Sequence, residues 1–335
     1  MRCESHDRAE LESSIVQQLA SLPCAAPILL HSVVTSIRSS AWRMTATFDS
    51  VFRIYPNAAL MVHMTEGNAS ASVAALLSAM PYRRQRNVTI RALDLRSELE
   101  SIGGEYPELN TLVGNLTSRW RQLTKHRFWF SHEGDFARCL LLLRYGGVYL
   151  DTDVLLVRRL PTPACSTDLA EGLHDASARW AFIGRQTDTR DPRYRSAYLN
   201  GAVLGADAGH PWLRALLSVM LERYTARRDW MLPEWTVIGP HAVTEATRQH
   251  NANDPLQAVS VLPTSAFQPL SFHNEEQLRC FSQNTTCDDL RRVRFQDSMA
   301  VHLNSQHTAR IRVGPGSLCA LLYRELAPHT HILDI

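Results

Sequence analysis

The sequence has no run of about 20 apolar residues, the length that a membrane-spanning helix needs. Its first residues also lack the charged-then-apolar order of a signal peptide. No stripe of basic residues alternates with aromatic ones, and the formal net charge is only +2, so we expect no nucleic-acid partner. Internal repeats and low-complexity tracts are absent. The 335 residues are 45% hydrophobic, which is enough to bury one large α/β core or two modest ones.

Cysteine is present in a number that excludes complete pairing, because seven cysteines leave at least one unpaired. Cys280 and Cys287 bracket a short polar loop, so in an oxidising compartment they are our first choice for a disulfide. Cys139 lies in an apolar segment, where a small core residue is expected rather than a nucleophile. No pairing is predicted for Cys165 and Cys319.

Strand-like and helix-like segments alternate along the chain, which predicts a nucleotide-binding α/β sheet. Apolar and β-branched patterns predict strands at residues 28–34, 59–64, 88–93, 180–184, 198–206, 259–262 and 299–303. Helical patterns predict helices at residues 41–55, 72–80, 108–127, 211–224 and 239–249. A polar stretch that contains proline predicts a loop at 161–179. Sheets of this kind bind ligands beyond the carboxyl ends of their strands.

The most informative segment joins a predicted helix to a predicted central strand. Ser131 suits the N-cap of the helix, which apolar side chains then cover on all sides. Gly146 and Gly147 end the helix, and residues 148–157 form an apolar, β-branched run typical of a buried strand. The segment therefore belongs to the interior of the sheet.

Two carboxylates, Asp151 and Asp153, interrupt the apolar run of this strand. Carboxylates held together at the end of a buried strand repel each other and lose hydration, a cost that a cation or a hydrogen-bond network must offset. An isolated Asp-x-Asp is most often a turn or a solvated edge, but the buried context favours a metal site. Oxygen ligands of this kind suit Mg²⁺ or Mn²⁺, which take further ligands from water and substrate phosphates.

Asp135 and Arg138 lie three residues apart on one face of the predicted helix, among apolar neighbours. A buried guanidinium needs a partner, and the candidates are Asp135, Asp151 or a bound ligand. The pair is therefore either a structural ion pair or a ligand contact, and both remain open at this point.

The pattern Ser-x-x-x-Asp-x-x-Arg at 131–138 is followed by Tyr-Gly-Gly-x-Tyr-Leu-Asp-Thr-Asp at 145–153. Together these motifs resemble the glycosyltransferases whose sugar-binding region contains the Asp-x-Asp motif. Within them, the chain is most similar to the α-1,4-galactosyltransferase and α-1,4-N-acetylglucosaminyltransferase group. The likeness continues, in order, at residues 199–202, 239–240, 262–269 and 300–304. The chain departs from the galactosyltransferases at 237–238, where Val-Ile replaces their His-Gln, and after Leu303, where their aromatic residue is missing.

The resemblance implies a single GT-A-type, Rossmann-like nucleotide-sugar transferase domain of the α/β class with a mixed central sheet. Residues 26–330 would form the catalytic domain, with a nucleotide-binding half at 26–157 and an acceptor-side half at 158–330. Residues 1–25 are expected to form a poorly ordered flank.

The resemblance also implies Mn²⁺ or Mg²⁺ as the cofactor and a UDP-sugar as the donor. Asp153 would coordinate the cation, and Asp151 would bind it indirectly or hold the ribose. Tyr149 would lie beside them at the cofactor. His302 would be a third metal ligand, although a solitary histidine is more often a satisfied core residue.

Three further residues would act in catalysis. Asp135 and Arg138 resemble the pair that touches the hydroxyls of the donor sugar, and Asn200 resembles the residue beneath the sugar ring. For Asn200 the alternative is an Asn-Gly turn. Four aromatic residues are candidates for an acceptor-sugar platform or, singly, for core packing: Trp230, Trp235, Phe267 and Phe272.

The implied activity is retaining transfer of galactose from UDP-galactose to a terminal sugar of a glycolipid or glycoprotein, through an α-1,4 bond. Front-face displacement is favoured because no carboxylate is placed as a nucleophile, and double displacement stays open. The alternatives are UDP-N-acetylglucosamine as the donor and a catalytically silent nucleotide-sugar-binding homologue. A phosphoryl-transfer enzyme of the haloacid-dehalogenase type is disfavoured, because its Asp-x-Asp follows the first strand of the domain.

Relatives in this group are type II membrane proteins of the Golgi, so the resemblance implies a location in the Golgi lumen and a Golgi membrane partner. Since no span is predicted here, we expect a catalytic domain without its anchor. Four Asn-x-Ser/Thr sequons agree with a lumenal location. They begin at Asn68, Asn87, Asn115 and Asn284.

Overall fold

The structure is a computed structural model. It describes residues 5–19, 23–24, 26–35, 41–65, 86–163, 179–186, 198–226, 234–270, 276–282, 285–292, 294–308 and 310–330. The helix predicted at 72–80 and most of the loop predicted at 161–179 lie outside the described residues. So do Trp230 and Phe272, two of the four aromatic candidates for the acceptor platform.

The described strands form two sheets. They are β1 (Leu29–Val34), β2 (Ala59–Met64), β3 (Asn87–Ala92), β4 (Gly147–Leu150), β5 (Val154–Leu156), β6 (Ala181–Arg185), β7 (Leu199–Ala206), β8 (Ser260–Leu262) and β9 (Ala300–His302). Seven of them make the central sheet, in the order β3-β2-β1-β4-β7-β6-β8, and β5 pairs with β9 apart from it.

The central sheet is mixed. Strands β3, β2, β1 and β4 run parallel to one another, as strands joined by helical crossovers do. Strand β7 runs antiparallel to both β4 and β6, and β8 is parallel to β6. The predicted α/β class with a mixed central sheet is therefore confirmed.

Helices pack on both faces of this sheet. They are α1 (Ser5–Leu19), α2 (Ala41–Ile54), α3 (Leu95–Glu105), α4 (Pro107–Thr117), α5 (Trp120–Leu123), α6 (Trp129–Tyr145), α7 (Pro211–Thr225), α8 (Pro240–Asn253), α9 (Thr264–Phe267), α10 (Glu276–Phe281), α11 (Cys287–Arg292), α12 (Ser305–Thr308) and α13 (Leu318–Leu326). Two 3₁₀ turns lie at Trp235–Val237 and Pro255–Gln257. Within the described parts of the chain, none of these helices has the length and apolar character that crossing a bilayer requires.

The central helix α6 is buried because apolar side chains occupy all its sides. Phe136, Cys139 and Leu142 are each 0% exposed and pack with residues of α3, α4 and α7 on one face of the sheet. On the other face, α2 contributes Phe48 and Val51 to a second core. Cys139 is a free, buried thiol, which confirms the prediction that it is a core residue.

The continuous strand predicted at 148–157 is wrong, because β4 ends at Leu150 and β5 begins at Val154. Between them, the Val154 N–H donates to the Asp151 carbonyl at 3.3 Å and closes a turn. Strand β5 then leaves the central sheet and pairs with β9, which sets Val154 opposite His302. A continued strand would bury its carboxylates in the sheet, whereas the turn directs them into a cleft.

Two helical predictions need correction. Helix α6 begins at Trp129, so Ser131 lies inside its first turn and is not the N-cap. The single helix predicted at 108–127 is divided between α4 and α5, and α3 before them was missed. Asp94 caps α3 by accepting a backbone N–H of its first turn, and Pro107 occupies the first position of α4, where proline is favoured.

Helix α1 occupies part of the flank that we expected to be poorly ordered. Its Ile15 and Leu19 are each 1% exposed and pack in a third core with residues of β5, β9 and α13. Arg8 reaches across and donates to the Thr285 carbonyl at 3.3 Å. Residues 5–19 are therefore packed against the rest of the chain, because one face of the helix is apolar.

Cys280 forms a disulfide with Cys319, so the predicted Cys280–Cys287 pair is wrong. Packing of α10 against α13 brings the two cysteines together, with 5.1 Å between their Cα atoms. Loop spacing could not reveal this contact, since the partners are 39 residues apart. Cys24 and Cys287 are disulfide-bonded as well.

A buried chain of polar side chains crosses β3, β2 and β1. Arg91 Nε–H donates to His63 Nδ1 at 2.9 Å, His63 Nε2 lies 3.0 Å from His31 Nδ1, and His31 Nε2 lies 3.1 Å from the Gly146 carbonyl. Because the guanidinium only donates and the carbonyl only accepts, each imidazole is neutral with its proton on Nε2. Burial lowers the pKa of His31 to about 4 and that of His63 to about 3.

We expect this histidine pair to make the protein sensitive to acid. At pH 5 the folded imidazoles remain neutral, whereas those of the unfolded chain are protonated below about pH 6.5, so unfolding takes up protons and stability falls as the pH drops. Each imidazole should cost on the order of 2 kcal/mol between pH 8 and pH 5. Urea unfolding of wild type and His63→Gln at both pH values measures this. The loss should be about 2 kcal/mol smaller in the variant.

The control for this experiment is His307→Gln, at an exposed histidine, which should lose as much stability as wild type. Comparing losses between two pH values cancels the contribution of carboxylates that all three proteins share. If His63→Gln and wild type show the same pH dependence, the neutral, buried assignment is wrong.

Candidate active site

The candidate site lies where β4 ends, β7 begins and β9 ends. Asp151 directly follows β4, and Asn200 is the second residue of β7, the antiparallel neighbour of β4. The pairing of β5 with β9 carries His302 beside Asp153. Residues far apart in the sequence therefore converge through sheet register.

Asp151, Asp153 and His302 form the one group of possible metal ligands found among the described residues, with ligand atoms within 4.8 Å of one another. His302 Nε2 lies 3.3 Å from Asp153 Oδ1, and the Ser305 N–H donates to Asp153 Oδ2 at 2.6 Å. Burial alone raises the pKa of Asp153, but His302 and the Ser305 N–H lower it to about 2. Two carboxylates with one imidazole fit a divalent cation such as Mn²⁺.

The other nitrogen of His302 is held by amide side chains. Gln268 Nε2 lies 2.8 Å from His302 Nδ1, and Asn200 Nδ2 lies 3.4 Å from it. Asn304 donates to Gln268 Oε1 at 3.3 Å. If the Gln268 side-chain amide is rotated by 180°, its oxygen accepts a hydrogen bond from His302 Nδ1–H, and His302 Nε2 is then free to bind a cation. Gln268 therefore orients the His302 ring in both amide orientations.

Gln268, Asn304 and Ser305 are site residues that the sequence analysis missed. The first two lie in the segments 262–269 and 300–304 that carry the family resemblance, and this was the available signal. Ser305 acts through its backbone N–H, which no pattern of side chains reveals.

Arg138 lies between the carboxylates of Asp135 and Asp151. Its Nη2 is 3.2 Å from Asp135 Oδ1 and 3.4 Å from Asp151 Oδ1. The guanidinium stacks over the Tyr149 ring at 4.9 Å from its centroid, and the Tyr149 hydroxyl donates to Asp151 Oδ1 at 2.8 Å. The two alternatives left open for Asp135 and Arg138 are therefore compatible, since the residues form an ion pair and also line the cleft.

The two charges of this pair respond differently to burial. Burial raises the pKa of Asp135 to about 7, although Arg138 opposes the shift. Burial also lowers the pKa of Arg138, but Asp151, Tyr149 and Asp135 outweigh it, so the guanidinium stays charged. A carboxyl that titrates near neutrality can both donate and accept hydrogen bonds, which suits a sugar hydroxyl.

Two glycines leave the space that Arg138 and Asp135 fill. A Cβ at Gly201 would collide with Arg138 Nη1, and a Cβ at Gly239 would lie 2.9 Å from Asp135 Oδ2. Asn200 and Gly201 lie within β7, so the Asn-Gly turn considered as an alternative is not formed. Instead, Asn200 Oδ1 accepts a hydrogen bond from the backbone N–H of Ala202 at 2.7 Å.

A polar cleft of about 150 Å³ joins these groups. A water needs roughly 10–15 Å³ on this scale, so a ligand larger than an ion fits. The lining residues are Ser131, Asp135, Arg138, Asp151, Asp153, Gln186, Asn200, Gly201, Trp235, Pro240, His302, Asn304 and Ser305. Among the aromatic candidates for the acceptor, Trp235 lines the cleft, whereas Phe267 is 3% exposed and packs in the core.

Two family models match the chain in sequence order. A glycosyltransferase sugar-binding region containing the DXD motif matches residues 42–170, and an alpha 1,4-glycosyltransferase conserved region matches residues 205–332. Together they span about three quarters of the chain, including Asp151, Asp153 and His302. The chain belongs to this glycosyltransferase family. It is an enzyme, a hexosyltransferase, and its DXD motif implies a divalent metal and a nucleotide sugar.

This glycosyltransferase is similar to curated proteins with named activities. It is 25% identical to the lactosylceramide 4-alpha-galactosyltransferase of Mus musculus over 334 aligned positions, in an alignment that covers 94% of this chain and 78% of that protein. It is 22% identical to the alpha-1,4-N-acetylglucosaminyltransferase of Homo sapiens over 306 aligned positions, in an alignment that covers 86% of this chain and 75% of that protein. The names of these relatives give different sugars, so the level of identity does not decide the donor.

Two solved structures are similar to the glycosyltransferase in fold. The galactosyltransferase LgtC in complex with donor and acceptor sugar analogs has a TM-score of 0.46 at 16% identity, over 92% of this chain and 98% of that chain. The glycosyltransferase GlyE of Streptococcus pneumoniae TIGR4 has a TM-score of 0.45 at 12% identity, over 92% of this chain and 61% of that chain. With the family shown and a mixed central sheet of seven strands, the predicted GT-A-type fold class is confirmed.

Proposed function

We propose that this enzyme is a retaining, Mn²⁺-dependent transferase that moves galactose from UDP-galactose to a terminal sugar of a glycolipid or glycoprotein through an α-1,4 bond. The observation that carries the proposal is the group formed by Asp151, Asp153 and His302, whose ligand atoms lie within 4.8 Å of one another. The cleft that contains this group also contains Asp135 and Arg138. In this proposal a cation and a charged pair that binds the donor sugar would share one site.

Several residues of this site would stabilise the departing diphosphate, directly or through the cation. Asp153 and His302 would hold the cation, and Asp151, fixed by the Tyr149 hydroxyl, would complete the acidic pair. When bound, the cation supplies Lewis-acid stabilisation of the negative charge that develops on the departing diphosphate. Arg138 adds a fixed positive charge in the same low-dielectric cleft.

Asp135 lines the cleft outside the metal group, but it is poorly placed to attack a sugar carbon. Its Oδ1 faces Arg138 at 3.2 Å, and Gly239 lies so near that a Cβ there would come 2.9 Å from Oδ2 and 3.0 Å from Oδ1. We therefore favour front-face displacement, in which the departing phosphate takes the proton of the acceptor hydroxyl. Asp135 and Asn200 would then hydrogen-bond the donor sugar.

Galactose is the first choice of donor sugar because the relative with 25% identity is named a galactosyltransferase. N-acetylglucosamine is the second, because the relative with 22% identity carries that sugar in its name. Ile238, which stands in place of a polar residue of the galactosyltransferases, is 0% exposed and offers nothing to a sugar. Discrimination between the two donors therefore falls to polar residues of the cleft such as Asn200.

The proposal predicts UDP release from UDP-galactose when purified protein is incubated with lactose and Mn²⁺. Release should be highest for UDP-galactose among UDP-galactose, UDP-N-acetylglucosamine and UDP-glucose. It should stop on addition of EDTA, because the cation that would stabilise the charge on the departing diphosphate is then removed. It should return when Mn²⁺ is added in excess. Nuclear magnetic resonance of the trisaccharide product reports the linkage and the anomeric configuration.

Other results of the same experiment would support the alternatives. Higher turnover of UDP-N-acetylglucosamine would make it the donor. Binding of UDP-galactose without hydrolysis or transfer would indicate a catalytically silent homologue. Release of inorganic phosphate from a phosphate monoester, without UDP release from any UDP-sugar, would favour the dehalogenase-type chemistry.

We also propose that the enzyme works in the Golgi lumen, at the membrane that holds a glycolipid acceptor. The Cys280–Cys319 disulfide supports an oxidising compartment. Asn87 and Asn115, which begin two of the sequons, are exposed and thus accessible to a glycan. Sensitivity of the protein expressed in its own cells to endoglycosidase, together with a Golgi marker, tests the location.

A further inference from the structure

Trp235 is the large apolar side chain in a cleft whose other described lining residues are mostly charged, amide or hydroxyl-bearing. It opens the 3₁₀ turn Trp235–Val237, just before α8. We infer that the indole of Trp235 is the platform on which the terminal sugar ring of the acceptor stacks. This inference rests on the proposed function and adds the place where the acceptor binds.

The backbone that carries the indole is held by side chains from two helices. His132 of α6 contacts the Trp235 carbonyl at 3.2 Å through Nε2. Arg223 of α7 donates to the carbonyls of Val237 and, at 3.4 Å, His241. Contacts at the Trp235 and Val237 carbonyls fix the turn before a ligand arrives, and the contact at His241 ties Arg223 to α8. This order reduces the entropy lost on binding.

His132 acts here as a positioning residue. It is 0% exposed, and burial lowers its pKa to about 4, so the ring is neutral. The Trp235 carbonyl can only accept, which places the proton on Nε2, and Nδ1 accepts from the Tyr224 hydroxyl. With both nitrogens occupied, His132 orients the turn and has no free atom for proton transfer.

The chemistry of the surrounding cleft favours a sugar over a purely apolar ligand. One face of a pyranose ring presents C–H groups that pack on an aromatic ring, while its hydroxyls need polar partners. Ser131 and Gln186 line the same cleft and offer such partners, and neither belongs to the metal group. The charged residues Asp135 and Arg138 already bond each other. Trp235 with Ser131 and Gln186 thus provides what an acceptor sugar requires.

The test compares Trp235→Ala and Trp235→Phe with wild type, using lactose as the acceptor and UDP-galactose as the donor. The KM for lactose should rise about tenfold or more in Trp235→Ala, since the ring contact is lost, and about threefold or less in Trp235→Phe. The affinity for UDP with Mn²⁺, measured by calorimetry, should stay within about twofold in both variants. Trp180→Ala, at a half-buried tryptophan stacked on Phe182 outside the cleft, is the matched control.

The positioning role of His132 is tested by Tyr224→Phe, which removes only the hydroxyl that donates to it. We expect the KM for lactose to rise about threefold, with kcat and UDP–Mn²⁺ affinity unchanged, since one hydrogen bond is lost at a distance from the donor. General destabilisation would instead lower kcat or UDP affinity together with the KM effect.

The outcomes separate this inference from the proposed function. If wild type releases no UDP from any UDP-sugar, the proposed function fails. If wild type transfers galactose to lactose and Trp235→Ala keeps a KM within twofold of wild type, the platform is wrong while the proposed function stands. A loss of UDP–Mn²⁺ affinity in Trp235→Ala would assign the indole to the donor and also overturn the inference.

Discussion

Asp153→Asn is expected to lower transfer by roughly a thousandfold or more while it leaves the fold intact. The substitution removes a charge that would hold the cation, whose Lewis-acid effect is worth several kcal/mol, and each factor of ten in rate corresponds to about 1.4 kcal/mol. The amide oxygen can still accept from the Ser305 N–H, which donates to Asp153 Oδ2 at 2.6 Å in wild type. The rate of UDP release at saturating UDP-galactose and Mn²⁺ measures the effect.

The control for this variant is Asp288→Asn, at a side chain that is 73% exposed, which should retain the wild-type rate. Thermal unfolding distinguishes a loss of metal binding from a loss of the folded structure. Both variants should unfold near the wild-type temperature without ligands, but UDP with Mn²⁺ should stabilise only wild type and Asp288→Asn. Near-normal turnover by Asp153→Asn would rule out the metal assignment.

The local parts of the fold and of the site could be predicted from the sequence. Strand β2 has the bounds predicted from its apolar pattern, 59–64, because a run of apolar residues between turn residues specifies a buried strand. Asp151 and Asp153 stood out because charge conflicts with burial within a few residues. That conflict is local, so sequence alone reveals it.

The parts that depend on distant contacts could not be predicted from local patterns. The pairing of Val154 with His302 follows from the departure of β5 from the central sheet, and only the resemblance pointed to His302. Gln268, which directly follows α9, approaches the ring of His302 from a distant part of the sequence. The Cys280–Cys319 bond likewise depends on how two helices pack.

Arg138→Met should lower the free energy of unfolding by about 3–5 kcal/mol at pH 8, because it leaves buried carboxylates without their cation. In wild type Arg138 Nη2 lies 3.2 Å from Asp135 and 3.4 Å from Asp151. Burial already raises the pKa of Asp135 to about 7, and loss of Arg138 should raise it further. Asp135 can then neutralise itself by taking up a proton, so the loss of stability should be smaller at pH 6 than at pH 8.

Urea unfolding of four proteins separates the buried charge from lost packing: wild type, Arg138→Met, Asp135→Asn and the double variant. The double variant should recover more than about 1 kcal/mol relative to the sum of the single losses, because one of the uncompensated charges is gone. Arg96→Met is the control, since Arg96 pairs with Glu100 on the surface, where both side chains are about half exposed, and should cost less than about 1 kcal/mol. Additive losses with no dependence on pH would mean that Arg138 stabilises the fold by packing alone. In that case the carboxylates would be sufficiently stabilised by other groups, and the charge of Arg138 would be free to act on the donor diphosphate.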